Sequence, residues 1–124
     1  MIQDFLAKAQ ENLRDAERAL EEGRPNACAN RAYYSAFQAA IAALAKENVL
    51  HSKNPHSWVQ AQFAELLVKR RKRYPAAMAS ILMPMQELRD KADYKPLAVS
   101  KSEAAKQVRD AKLFYSTIIA VIQP

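Results

Sequence analysis

One glycine, Gly23, stands in a chain of 124 residues, and that scarcity removes most of the folds open to a chain of this length. Tight β-hairpins lean on glycine for positive φ, and a phosphate-cradling loop needs several glycines. What remains is rich in helix formers, including 24 alanines. No stretch alternates with period two for long enough to suggest a strand. The expectation is an all-α fold, an antiparallel up-and-down bundle of four to five helices, forming one domain over residues 1–124 around a single hydrophobic core.

The stretch from Asn26 to Asn48 lacks both glycine and proline and is the natural centre of such a bundle. Ala27, Asn30, Tyr34, Phe37, Ile41 and Leu44 recur at steps of three and four, which predicts a core stripe on one helix. Arg31, Ser35 and Gln38 run one residue out of phase as a polar line, with Tyr33 off to the other side. Two phenol hydroxyls and a guanidinium are costly to bury without partners. Arg31, Tyr33 and Tyr34 are therefore candidate binding residues on the edge of a central helix. The plainer alternative is that the hydroxyls reach solvent or a backbone carbonyl.

Around this centre the chain reads in order. Ile2, Phe5 or Leu6, Ala9, Leu13, Ala16 and Leu20 predict a first helix ending near Gly23, and Pro25 opens the second. Asn54 and Pro55 predict the cap and first position of a third helix, with Trp58, Val59, Phe63, Leu66 and Leu67 on its apolar face. His56, close to that helix start, is expected to disfavour its protonated form through the helix dipole and to hydrogen-bond locally. The third helix closes on Lys69, Arg70, Arg71, Lys72 and Arg73, which is either a solvated helix end or a phosphate-contacting patch. Met78, Ile81, Met85, Leu88 and Ala92 predict a fourth helix that Pro84 must kink or divide and Pro96 stops. Arg89 borders the core stripe beside Leu88, so its guanidinium can lean across the bundle. Ser100 to Glu103 form a capping box for a fifth helix carried by Ala104, Val108, Ala111, Tyr115, Ile118 and Ile122.

Nineteen basic against thirteen acidic residues give a net charge of +6 and a pI near 9.6, a balance that favours polyanionic partners such as nucleic acid or nucleotides. The lone cysteine, Cys28, excludes an internal disulfide framework and fits a reducing cytoplasm. The N-terminus lacks the pattern of a signal peptide, and no apolar run approaches the ~20 residues that span a bilayer. A cytoplasmic protein with no membrane partner is expected. Two histidines, one cysteine and scattered carboxylates show no metal-ligand spacing, so neither metal nor cofactor is expected.

Taken together, Arg31-Ala32-Tyr33-Tyr34-Ser35-Ala36-Phe37, His56, Arg89-Asp90-Lys91-Ala92-Asp93-Tyr94 and the Ser100-Lys101-Ser102-Glu103-Ala104 start of the last helix resemble, in order and spacing, the HEPN family (higher eukaryotes and prokaryotes nucleotide-binding domain). The resemblance runs over nearly the whole chain. It implies an antiparallel helical bundle, usually a homodimer, and a small nucleotidyltransferase partner in a two-gene toxin-antitoxin-like module. Many members are metal-independent endoribonucleases whose shared cleft uses an arginine, the polar residue after it, and a histidine a short interval beyond. Arg89 and Asp90 match the first two positions. Where the histidine would stand this chain has Tyr94, followed by Lys95 and Pro96.

That substitution has chemical weight. Metal-free RNA cleavage needs the 2′-hydroxyl deprotonated, the leaving oxygen protonated and the phosphate charge stabilised. Arginine suits the last task, whereas tyrosine, titrating near 10, is a poor base at neutral pH compared with histidine. The preferred reading is a weakly or non-catalytic protein that binds nucleotide or RNA phosphate through Arg89 and Lys91, with Arg31, Tyr33, Tyr34 and the run Lys69, Arg70, Arg71, Lys72 and Arg73 as further binding candidates. The alternative is a ribonuclease toxin using Arg89, Asp90 and Tyr94, or a histidine borrowed from the loop after the second helix. Whether His51 or His56 reaches Arg89 is left open by the sequence. A third alternative is a structural adaptor in which Arg89 and Asp93 form an ordinary ion pair.

Overall fold

The computed structural model of the chain describes residues 1–123. Five α-helices follow one another: α1 (Ile2–Glu21), α2 (Pro25–Lys46), α3 (His56–Gln62), α4 (Leu82–Tyr94) and α5 (Lys101–Ile122). The third continues as a wider π-helical segment, Phe63–Arg70, and a 3₁₀ turn, Ala76–Ser80, precedes α4. No strand occurs among the described residues, and the all-α bundle is as expected.

Left-handed residues punctuate the chain, and only one of them is glycine. Gly23 (φ 72°) ends α1, where the N–H groups of Gly23 and Arg24 donate to the carbonyls of Leu20 and Ala19, the paired bonds of a Schellman turn. Asn48 (φ 61°) closes α2 with the same pair, from Asn48 to Ala45 and from Val49 to Leu44. Asparagine tolerates this region. Lys72 (φ 54°) turns the chain inside the basic run, so that run breaks the helix instead of extending it to Arg73. Asn54 is also left-handed (φ 46°) and cannot cap α3 in the extended form a cap requires. Pro55 is the cap instead, its carbonyl accepting from Val59, and α3 begins one residue later than predicted.

α2 is buried along most of its circumference. Cys28, Ala29, Ala32, Tyr33, Ser35, Ala36, Phe37 and every residue from Ala39 to Ala45 lie in the core. The three-and-four spacing marks only one face of this central helix, but α1, α3, α4 and α5 all pack on α2. Alanine after alanine lets those neighbours approach closely. Tyr33 is consequently fully buried, whereas Tyr34 and Asn30, assigned to the stripe, are half-buried at its border. On α5 the fully buried aromatic is Phe114, with Tyr115 beside it only partly covered.

Polar side chains fix how the helices sit. Ser35 Oγ donates to the Ala9 carbonyl at 2.8 Å, joining α2 to α1. Gln107, buried on α5, donates to the carbonyls of Ala29 (3.3 Å) and Met85 (2.8 Å), tying α5 to α2 and α4 at once. The expected capping box is formed, Ser100 Oγ accepting from Glu103 N and Glu103 Oε1 from Ser100 N. Pro84 falls in the first turn of α4, where its missing N–H is harmless, and the division it forces produces the 3₁₀ turn upstream.

One connection matters for the site. The segment after Glu47 runs back along α2, so α3 starts beside Tyr33 and Phe37 and then proceeds alongside α2 until Arg71 meets Glu47. α4 runs the opposite way to α2, bringing Asp93 to Asn30 and Arg89 to Tyr34.

Replacing Gln107 with methionine keeps its volume but removes both bridging donors. Urea unfolding should show a loss of about 1–2 kcal/mol as a lower midpoint with unchanged slope.

Candidate functional site

Two successive tyrosines on α2 organise the site. The Tyr33 hydroxyl lies 2.6 Å from Nδ1 of His56 and accepts from Gln60 Nε2 at 3.1 Å. With the ring fully buried and Gln60 donating, the phenol proton has His56 Nδ1 as its acceptor, which assigns the imidazole proton to Nε2. The imidazole stacks on Phe37 with centroids 4.2 Å apart and on Tyr33 at 5.5 Å. Burial lowers the His56 pKa, the Arg89 charge lowers it further, and Asp90 offsets part of this. Burial pushes Tyr33 up to about 12, against the opposite pull of the Gln60 hydrogen bond and Arg89. At neutral pH the pair is therefore an uncharged phenol and an uncharged imidazole. The local hydrogen bond expected for His56 is replaced by one to a residue far away in sequence, and burial is the first cause of its lowered pKa.

Tyr34 does the corresponding work for Arg89. Its hydroxyl accepts from Arg89 Nη1 at 2.7 Å, and the Arg89 side chain is only 12% exposed. Asp90 Oδ1 takes Nη2 at 2.7 Å and Nε at 3.2 Å, while Asp93 stands off at 3.9 Å. Asp93 belongs more closely to Asn30, which donates to it at 3.0 and 3.3 Å. The guanidinium also lies 5.5–5.8 Å from the ring centroids of Tyr33, Tyr34 and Tyr94, within cation–π range. His56, edge-on to Tyr34 at 5.9 Å, thus shares an aromatic cluster with Arg89. His51 does not; it packs on Trp58 at 5.0 Å.

The other candidates divide. Arg31 joins the cluster, its guanidinium 5.5 Å from the Tyr34 ring and held by Asn30 and Asn12. It lines a groove of about 440 Å³ that also takes in Arg18, Arg24, Asp15 and Asp93; Arg18 and Arg24 carry no periodic signal that would have singled them out. Tyr94 is 72% exposed at the end of α4. Lys91 is drawn away from Arg89 by Glu103, at 3.1 and 3.3 Å. In the basic run, all of it exposed, Arg71 and Arg73 both pair with Glu47 (3.3 and 3.2 Å) and Lys69 with Glu65 (2.9 Å). Glu47 is thirteen residues beyond Tyr34, about 20 Å along the helix axis, so the run and Arg89 are separate features. Lys69 lines a groove that Gln60 and Gln86 also line. Among the described residues no group of three or more His, Cys, Asp or Glu could hold a metal ion. Cys28 is buried, its thiol pushed up to about 11.

Because the folded protein holds the His56 pKa below its ordinary value, the unfolded chain binds more protons on acidification. Stability from this group is complete above about pH 6.5, the unperturbed value, and is lost as pH falls from there through the lowered folded value. Denaturant midpoints measured downward from pH 7.5 should show this slope, and His56→Gln should flatten it.

No curated protein matches the chain. A family model of the HEPN domain matches residues 2–121, essentially the whole sequence, and the chain belongs to the HEPN domain family.

Proposed function

We propose that this HEPN protein binds the phosphate of a nucleotide or of RNA at Arg89, and that it cleaves RNA weakly or not at all. The observation that carries the reading is the state of the two groups that would have to do chemistry. Arg89 is aimed by Tyr34 and Asp90 with three of its five N–H groups engaged, which leaves two for an anion. His56 presents an Nε2–H donor to whatever lies beside it. A guanidinium and a neutral imidazole donor complement phosphate oxygens, and with Nδ1 taken by the Tyr33 hydroxyl the imidazole has no free lone pair for the proton of a 2′-hydroxyl.

A small nucleotidyltransferase partner and a toxin-antitoxin-like role belong to the same proposal and rest on family membership. So does a homodimer across α4, supported by the exposed Met83, Tyr94 and Leu97 on and just after that helix, which a twofold partner would cover.

A second reading, a metal-independent ribonuclease, is favoured by one observation: His56 sits in the aromatic cluster at Arg89, where a borrowed histidine would have to be. Labelled mixed RNA incubated with purified protein in EDTA separates the two. The expected result is retention without cleavage. Arg89→Ala should weaken retention about tenfold or more and reduce the salt dependence by about one phosphate contact. Cleavage by the wild type that disappears in both Arg89→Ala and His56→Gln would establish the ribonuclease, and loss in Tyr94→Phe would add the tyrosine to it. Sedimentation equilibrium should give twice the chain mass; a single-chain mass removes the dimer.

A further inference from the structure

A second groove, about 510 Å³, opens between α3 with its π-helical continuation and the 3₁₀ turn leading into α4, within the size range of small-molecule sites. Small side chains, Ala61, Ala64 and Ala79, leave room above an apolar floor that includes Leu82. One end is polar, and its polarity is of a particular kind. Gln60 Nε2 donates both to the Tyr33 hydroxyl and to Gln86 Oε1. Two half-buried amides are thereby locked together with one acceptor, Gln60 Oε1, and one donor, Gln86 Nε2, unspent. Gln86 lies three residues before Arg89, so the two side chains share a face of α4 one turn apart.

We infer that this groove is a base subsite and that the amide pair selects adenine. Adenine offers a donor at N6 beside an acceptor at N7, the complement of a glutamine acceptor and donor. Hypoxanthine, with O6 in place of the amino group, presents two acceptors there and leaves the Gln60 oxygen facing another oxygen. The ligand class follows: an adenine nucleotide, or an adenine in an RNA strand, with its base against Gln60 and Gln86 and its phosphate at Arg89. The inference rests on the phosphate reading of Arg89 for the second half of that ligand only; the base contact stands on the groove alone.

Isothermal titration of the full chain with AMP, IMP, adenosine and inosine tests it. AMP should bind about tenfold or more tighter than IMP, and adenosine should keep its preference over inosine. Gln86→Leu should bring AMP down to the IMP affinity. Gln86→Glu, which keeps the side-chain shape but exchanges the donor for an acceptor, should do the same with an unchanged circular dichroism spectrum. Equal affinity for AMP and IMP, with both weakened by Arg89→Ala, overturns the base subsite and leaves the phosphate reading intact. Adenosine preferred over inosine, with AMP binding indifferent to Arg89→Ala, supports the subsite and overturns the phosphate reading. No binding of any of the four overturns the subsite.

Discussion

A phenol hydroxyl buried in the middle of a helical bundle must be given a partner, because leaving it unpaired costs several times what a surface hydrogen bond contributes. Tyr33 imposes that demand. The chain meets it by sending the segment after α2 back along the bundle, so that the first turns of α3 deliver His56 and Gln60 to the one hydroxyl. Tyr34, the next residue on the helix and so rotated by about a quarter turn, presents its own hydroxyl toward α4 and receives Arg89. Two adjacent tyrosines therefore moor two different helices to α2, and the residues used for mooring are the ones with chemical potential. The site is a by-product of satisfying buried polar groups, and loosening either tyrosine loosens both packing and site.

Electrostatics divides the molecule into two basic regions that do not act together. Five adjacent cations at the end of the π-helical segment that continues α3 account for much of the net charge of +6, yet two are drawn onto Glu47 at the far end of α2. About 20 Å of helix exceeds twice the screening length of ~8 Å at physiological salt, so those charges lend Arg89 almost nothing. The arginines that matter to Arg89 are spread thinly through the sequence. Arg31 shares the Tyr34 ring with it, and Arg18 and Arg24 line the groove next to Asp93. A charge run is conspicuous in a sequence because its members are adjacent, whereas an anion site gathers its members from separate helices.

The same distinction explains how far the sequence could be read. Local signals were legible: the Gly23 stop, the Ser100 capping box and the break at Pro84 each depend on a few neighbouring residues. So was the tendency of Arg89 to lean inward, since its place beside Leu88 on the stripe follows from periodicity. The phase of α2 misled, because periodicity assumes one buried face and an alanine-rich central helix has nearly none exposed; Tyr33 and Tyr34 exchanged roles as a result. Asn54 misled because asparagine serves both as a cap and as a left-handed residue, and tertiary context chose the latter. His56 was visible as a residue but not as a member of the site. Its contact with Tyr33 spans a loop that reverses along α2, and no spacing rule encodes that return.

The protonation pattern of the cluster bears on catalysis more than the identity of any one residue does. A ribonuclease site needs one group ready to accept a proton and another ready to give one, and enzymes reach this by driving the pKa values of two neighbours apart around neutrality. Here burial drives His56 down and Tyr33 up, so both stay neutral, and burial of the phenol outweighs the opposite pull of the Gln60 donation, which alone would ease loss of the proton. The carboxylates beside the cluster accept from its neighbours, Asp90 Oδ1 from Arg89 and Asp93 from Asn30. What faces the solvent is a set of donors around a guanidinium. Such a set suits a bound anion, and turnover would require in addition a group placed to accept a proton.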